Sequence, residues 1–203
     1  MNYEQIIPKA IKIALLGDIP VGKSVIYNVF ENNEDNEDIH YNSFHKEKMI
    51  TLKNGEEIKI ILYDTNGQER FRSAIFKTIR NVNGVILVFA LDSRSSFDNL
   101  DNWLSDIKKN LNNPYIILFG NKSDLSKEKW QVTQEEINKY VEEKGFAYFE
   151  TSAYTKKGIM EGITYMANEI YDKMINKHNE NIIIKEKDTK KLRKKTGCVK
   201  SKK

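Results

Sequence analysis

The chain has 203 residues, 39% of them hydrophobic and 31% charged, which suits one globular domain with a short appendage and excludes global disorder. No apolar run approaches the roughly 20 residues of a membrane-spanning helix. Met1-Asn2-Tyr3-Glu4 has no signal-peptide pattern and no glycine for myristoylation, and the single Cys198 excludes an internal disulfide framework or a cysteine-based zinc site, so a reducing, cytoplasmic compartment is expected.

Short, near-continuous apolar runs read as parallel strands covered on both faces. The first, Ile11 to Leu16, leads into Gly17-Asp-Ile-Pro-Val-Gly22-Lys23-Ser24 and then a helical segment. Asn32 to Asp38 is a polar, acidic loop. Met49 to Leu52 and Ile58 to Tyr63 flank Asn54-Gly55, a hairpin signal that predicts one antiparallel edge strand. Val85 to Ala90 is a further strand, and Phe97, Leu100, Leu104, Ile107 and Leu111 form one stripe of a helix from about Ser96 to Leu111. Tyr115 to Phe119 and Phe146 to Phe149 complete the strands. Between them Thr133 and Glu136 form a capping-box pattern ahead of Ile137, Tyr140 and Val141. A last helix carries Ile159, Ile163, Met166, Ala167, Ile170 and Met174 at helical spacing, a stripe that reads as core. The alternation predicts a doubly wound α/β domain over residues 9–175, a six-stranded, mostly parallel sheet with helices on both faces. Ligands of such folds bind beyond the carboxyl ends of the strands.

Past Lys173 the apolar periodicity fades, and a flexible basic tail is expected over 176–203. Lys185 to Lys203 hold 10 Lys/Arg against 2 Asp/Glu, so the tail carries +8 of the net +4 and the first 184 residues carry −4. Such a tail binds an anionic surface, membrane or nucleic acid, or is a solvated end. The acidic body makes membrane the expected surface and nucleic acid not an expected partner.

Four strings at strand ends carry chemistry. Gly17 to Ser24 matches Gly-x-x-x-x-Gly-Lys-Ser in a strand–loop–helix context. Such a loop turns amide N–H groups to a phosphate at a helix N-terminus, with Lys23 serving the β- and γ-phosphates and the Ser24 hydroxyl serving Mg²⁺. Asp64-Thr-Asn-Gly67-Gln68 follows the next strand. There Asp64 can hold Mg²⁺ through water, Gly67 can approach a γ-phosphate and Gln68 can orient an attacking water; alone, the string is also an ordinary turn. Asn121-Lys122-Ser123-Asp124 offers a carboxylate to the paired N–H donors of guanine, which adenine lacks. In it Asn121 can hold the base and the Lys122 stem can cover its face. Glu150-Thr151-Ser152-Ala153 can offer an N–H to the guanine oxygen. Each short string alone could be a surface loop; all four in order are harder to dismiss.

With Gln68-Glu-Arg-Phe-Arg-Ser73, Gly84-Val-Ile-Leu-Val-Phe89 and Ser96-Phe-Asp-Asn-Leu-Asp-Asn-Trp103, these strings make residues 11–174 resemble a Ras-superfamily small GTPase, most like the Rab family. The resemblance implies a P-loop NTPase small G domain and a monomeric GTP/GDP switch in vesicle traffic. It implies exchange factors, GTPase-activating proteins and effectors as partners, on the cytoplasmic side of endomembranes. It also implies nucleotide contacts from Gly17, Asp18, Val21, Gly22, Lys23, Ser24, Val25, Gly67, Asn121, Lys122, Asp124, Ser152, Ala153 and Tyr154. Gln68 and Lys23 would be catalytic, and Mg²⁺ would sit on Ser24, Asp64 and Ser43.

Three departures qualify it. Ile19 and Pro20 stand in the phosphate loop where the family often has small residues; Pro20 has no N–H and Ile19 would crowd Gln68, so slow hydrolysis is expected. Where a threonine for Mg²⁺ is due, the chain has Tyr41 and Asn42, with Ser43 as substitute, and Asn32 to Asp38 offers no aromatic cover for the base. Cys198 lies five residues from the end and outside a C-a-a-X box, so it is either lipidated or a free thiol. The rival readings are a guanine-nucleotide-binding module with little or no hydrolysis, and an ATP-handling P-loop kinase, which Asn121 to Asp124 disfavours. His40, His45 and His178 read as exposed residues, and Trp103 and Trp130 as packing residues.

Overall fold

The structure is a computed structural model that describes residues 10–31, 45–65 and 72–197, with side chains given for all of these except 31, 72, 73 and 179–197. Ser43, Gly67, Gln68 and Cys198 lie outside the described residues, as do the acidic loop and His40 to Asn42.

Six strands form one sheet in the order β2-β3-β1-β4-β5-β6. They are β1 (Ala10–Leu16), β2 (His45–Thr51), β3 (Glu57–Asp64), β4 (Gly84–Ala90), β5 (Tyr115–Asn121) and β6 (Ala147–Glu150). β1 is central, parallel to β3 and β4, and β5 and β6 continue in parallel. Only β2, the hairpin partner of β3, runs antiparallel, as the Asn54-Gly55 signal predicts. Gly55 takes φ 85°, which a side chain would strain. The mostly parallel six-stranded sheet is therefore the one the sequence implies.

The period of two along β1 sends Ile11, Ile13 and Leu15 to one face and Ala14 and Leu16 to the other. The first face is covered by α1 (Lys23–Glu31), through Ile26 and Phe30, and by α6 (Ile159–Gly197), through Ile159, Ile163, Met166 and Ile170. The second is covered by α2 (Arg72–Thr78), α3 (Arg94–Asp98), α4 (Leu100–Asn110) and α5 (Gln134–Lys144), through Phe76, Phe97, Trp103, Ile107 and Ile137. Thr133 and Glu136 close the expected capping box on α5, each accepting from the other's backbone N–H.

Three features differ from expectation. The helix expected from Ser96 to Leu111 is two helices. Asn99 sits between them at φ −82°, ψ −3°, where its carbonyl accepts from Asn102 and Trp103 N–H and its side-chain amide is free to reach another element. The seven-residue α2 has too few apolar positions, Ile75 and Phe76, for periodicity to announce it. The helix α6 continues to Gly197, well past residue 176. From 176 to 196 there is neither proline nor glycine, and Lys, Glu, Arg and Leu sustain a helical backbone by propensity where the apolar stripe has ended.

Register places the chemistry. Leu15 pairs with Asp64, and Ala90 with Asn121, so the carboxyl ends of β1, β3, β4 and β5 finish level with one another. All four strings of interest begin at this end.

Candidate functional site

Gly17 leaves β1 at φ 138°, and a Cβ there would collide with the Val88 carbonyl oxygen of β4. Ile19–Val21 make one 3-10 turn with Pro20 in its first positions, and Gly22 closes it at φ 94° before α1 begins at Lys23. The loop therefore ends on the first amides of a helix, the geometry that receives phosphate. Lys23 is buried and folds back under the loop, its Nζ donating to the carbonyls of Gly17 at 2.8 Å and Asp18 at 2.6 Å. Burial lowers its pKa to about 8, opposed by the nearby carboxylates of Asp64 and Asp18. An anion in the loop would compensate this desolvated ammonium.

Asp18 accepts the Lys23 hydrogen bond with its backbone carbonyl. Its carboxylate Oδ1 accepts from Asn99 Nδ2 at 2.7 Å and Trp103 Nε1 at 2.8 Å, which ties the loop to the α3–α4 junction. Trp103 is thus fully buried packing, as expected, and also a donor to the loop. Ile19 is 61% exposed at the lip, and Ser24 and Val25 are exposed on the first turn of α1. Asp64 ends β3 beside Leu15. The next residue, Thr65, is buried and donates from Oγ1 to the Leu15 carbonyl at 2.7 Å, fastening the β3 end to β1.

Asn121 links this loop to the two others. Buried to 1% exposure, it donates from Nδ2 to the Val21 carbonyl at 2.8 Å and accepts at Oδ1 from Ala153 N–H at 3.0 Å and Thr151 Oγ1 at 3.4 Å. Gly22 is pressed against it: a Cβ there would lie 2.5 Å from Asn121 Nδ2. Lys122 adopts φ 69°, and its Nζ pairs with Asp92 at 2.9 Å, which holds the stem across the end of β5. Ser152 Oγ donates to Asp124 Oδ1 at 2.6 Å and accepts from Thr155 N–H at 3.0 Å. One carboxylate oxygen of Asp124 is thereby oriented, and the residue itself is exposed for a ligand. Tyr154 follows on the rim at 87% exposure.

The structure thus joins Gly17, Asp18, Val21, Gly22, Lys23, Asn121, Lys122, Asp124, Ser152 and Ala153 into one hydrogen-bonded or closely packed unit. Sequence reasoning passed over Thr65, Asp92, Asn99 and the role of Thr151. Thr65, Asn99 and Thr151 lie within strings already singled out, Asp64 to Gln68, Ser96 to Trp103 and Glu150 to Ala153, whereas Asp92 lies in none. All four contribute through contacts that no local pattern encodes.

These residues fit the groups the family implies. The glycines at 17 and 22 leave room only for backbone, the buried Lys23 ammonium lies under the loop, and the carboxylate of Asp124 can receive two N–H donors from one base edge. Among the described residues no three His, Cys, Asp or Glu side chains converge as a metal site. Ser24 and Asp64 offer one hydroxyl and one carboxylate, a sparse oxygen set of the kind that suits Mg²⁺, which retains waters and phosphate oxygens as its other ligands.

The comparisons agree with this architecture. Residues 12–172 match the model of the Ras family. The chain is 35% identical to the Ras-related protein Rab-4 of Dictyostelium discoideum over 154 residues, 74% of each chain. It is 33% identical to a probable Rab-related GTPase of Acanthamoeba polyphaga mimivirus over 172 residues, 83% of this chain and 76% of the relative. The chain belongs to the Ras family of small GTPases, and within it is Rab-like. No helix among the described residues is long and apolar enough to cross a membrane.

Proposed function

We propose that the protein is a GTP/GDP-dependent switch in vesicle traffic whose hydrolysis is slow. The observation that carries the guanine assignment is the Asn121 bridge. One buried side chain fixes the phosphate loop through Val21 and the base loop through Ala153, while Ser152 orients Asp124. Guanine places an N–H pair opposite Asp124, and adenine would leave that carboxylate without donors; the Ala153 N–H is itself engaged by Asn121 Oδ1. Lys122 lays its stem over one face of the base, and Tyr154 stands at the rim.

On the phosphate side Lys23 would offer its ammonium to the β- and γ-phosphates, and the start of α1 at Ser24 and Val25 would meet the anion. Mg²⁺, held by Ser24, Asp64 and Ser43, would neutralise charge between the phosphates. Gln68 orients the attacking water and Gly67 meets the γ-phosphate. Pro20 removes one N–H from the loop, and Ile19, exposed at the lip, would crowd Gln68 and any arginine from an activating protein. Both features favour a long-lived GTP state. Loss of a positioned donor costs about 10²–10³ in rate where it stabilises transition-state charge.

Exchange factors, activating proteins and effectors are the expected partners of a monomeric switch. The +8 tail is the expected contact with anionic endomembranes, with Cys198 as a candidate lipid site. The same Ile19 and Pro20 support a second reading, a nucleotide-binding module without useful turnover. Single-turnover hydrolysis of bound GTP, with and without Mg²⁺, separates the two. The switch reading predicts slow, Mg²⁺-dependent release of phosphate; no release above solvent background, with GTP still bound, would establish the module instead.

A further inference from the structure

At the end of the sheet opposite the candidate nucleotide site, residues leading into β4, β5 and β6 and one stripe of α6 enclose a cleft of about 640 Å³. Its apolar walls come from Val82, Pro114, Phe146, Ile170 and Met174. Lys173 and Lys177 join Ile170 and Met174 at helical spacing, so α6 presents an apolar and a cationic pair to the same opening.

Among the described residues some cations are held by carboxylates, and others, such as Lys77, Lys108 and Lys139, are not. Lys53, Lys59, Lys122, Lys144, Lys157 and Arg94 each lie within 3.1 Å of a carboxylate. Among the described residues neither Lys173 nor Lys177 has an ion pair. Lys173 instead rests over the Tyr115 ring, 4.2 Å from its centroid. Glu169, one turn before Lys173 on α6, accepts from the Tyr115 hydroxyl at 3.5 Å. The cleft therefore combines two lysines outside ion pairs with apolar side chains and with Asn83, Asn112 and Asn113. An inorganic anion would leave the apolar side chains uncovered, and a neutral apolar ligand would offer the ammoniums and amides no polar partner. An amphiphile bearing a phosphate satisfies both, and the volume is that of a small-ligand site.

Position narrows the source. α6 leaves the domain from this end and runs on to Gly197, through the segment where the charge of +8 begins. Cleft and tail thus address the same anionic layer. We propose that this cleft takes the phosphate-bearing headgroup and glycerol of an anionic phospholipid in a bilayer, seating the strand-start end of the domain on the membrane. The proposal deepens the membrane reading of the tail, and the two can fail separately.

The test uses the full chain with labelled Ile and Met methyl groups, titrated with dihexanoyl phosphatidylserine below its micelle concentration. Saturable shifts at Ile170 and Met174 are expected, with little response to dihexanoyl phosphatidylcholine or inorganic phosphate. In Lys173→Ala/Lys177→Ala the affinity should fall about 25-fold, taking roughly a fivefold loss for each lysine. GDP binding and melting temperature serve as controls for folding. Replacing the tail Lys/Arg after residue 184 by Gln should weaken binding to phosphatidylserine vesicles yet leave the short-chain lipid shifts intact. Equal shifts with phosphatidylcholine or with phosphate alone, shifts that survive loss of both lysines, or no shifts at all would each overturn the cleft while leaving the tail reading standing.

Discussion

Asn121, Thr151, Ser152 and Ala153, on the base side of the site, are all buried and joined to one another or to neighbouring loops by hydrogen bonds. On the phosphate side Lys23 is equally buried, but Ile19, Pro20, Ser24 and Val25 are exposed, and two of these four are the chain's departures from its family. Base recognition depends on rigid strand ends, where a changed residue breaks a buried network. The lip of the phosphate loop faces solvent, where Ile19 and Pro20 are accommodated without burial in the fold. Under the proposed function, this difference would let the chain keep guanine selectivity while altering turnover.

The contrast can be broken first at Asp124. Asp124→Ala removes two charge-assisted hydrogen bonds to a guanine edge and should weaken GDP binding by about 10²–10⁴-fold, measured by nucleotide dissociation, with the fold intact because the residue is exposed. On the other side, Ile19→Gly/Pro20→Gly restores an N–H and clears the lip. Single-turnover hydrolysis should rise by about 10²–10³-fold with GDP affinity little changed, and an unchanged rate would remove Pro20 and Ile19 from the account.

A smaller effect sharpens the link between the halves. Trp103→Phe keeps the buried ring but removes the Nε1 donor to Asp18, which should cost about 1.5–3 kcal/mol in urea unfolding. The smallest lies outside the site. Arg94, together with the Thr133 backbone and hydroxyl, holds the Glu136 carboxyl down at about 2. Its contribution to stability is present above the ordinary glutamate range and is lost as pH falls from about 4.5 towards 2. Glu136→Gln should therefore melt slightly below the parent at pH 7 and coincide with it near pH 2.

Much of this was legible from residues alone, for reasons that can be stated. The strands of β1, β4 and β5 are buried on both faces, so their apolar runs are unbroken. The phosphate loop and Asn121 to Asp124 announce themselves because close backbone approach demands glycine and guanine demands a carboxylate. What stayed hidden depends on distance in the chain. The Asp18 contact with Asn99 and Trp103 spans more than eighty residues, and it needs the helix break at Asn99, which the regular stripe from Phe97 to Leu111 conceals. The pairing of Lys122 with Asp92 and the cleft between Phe146 and Met174 are likewise properties of assembled strand ends. α6 shows the reverse limit: its apolar stripe stops where the core stops, while its backbone continues as helix on propensity alone.

The central claim is that the Asn121 bridge and the Asp124 carboxylate form one guanine-selective cradle with the phosphate loop. Native mass determination of the purified protein, followed by competition with GTP and ATP, tests it most directly. The account predicts one guanine nucleotide per chain, displaced by GTP and not by an equal concentration of ATP. An empty chain that takes up ATP as readily as GTP would contradict it.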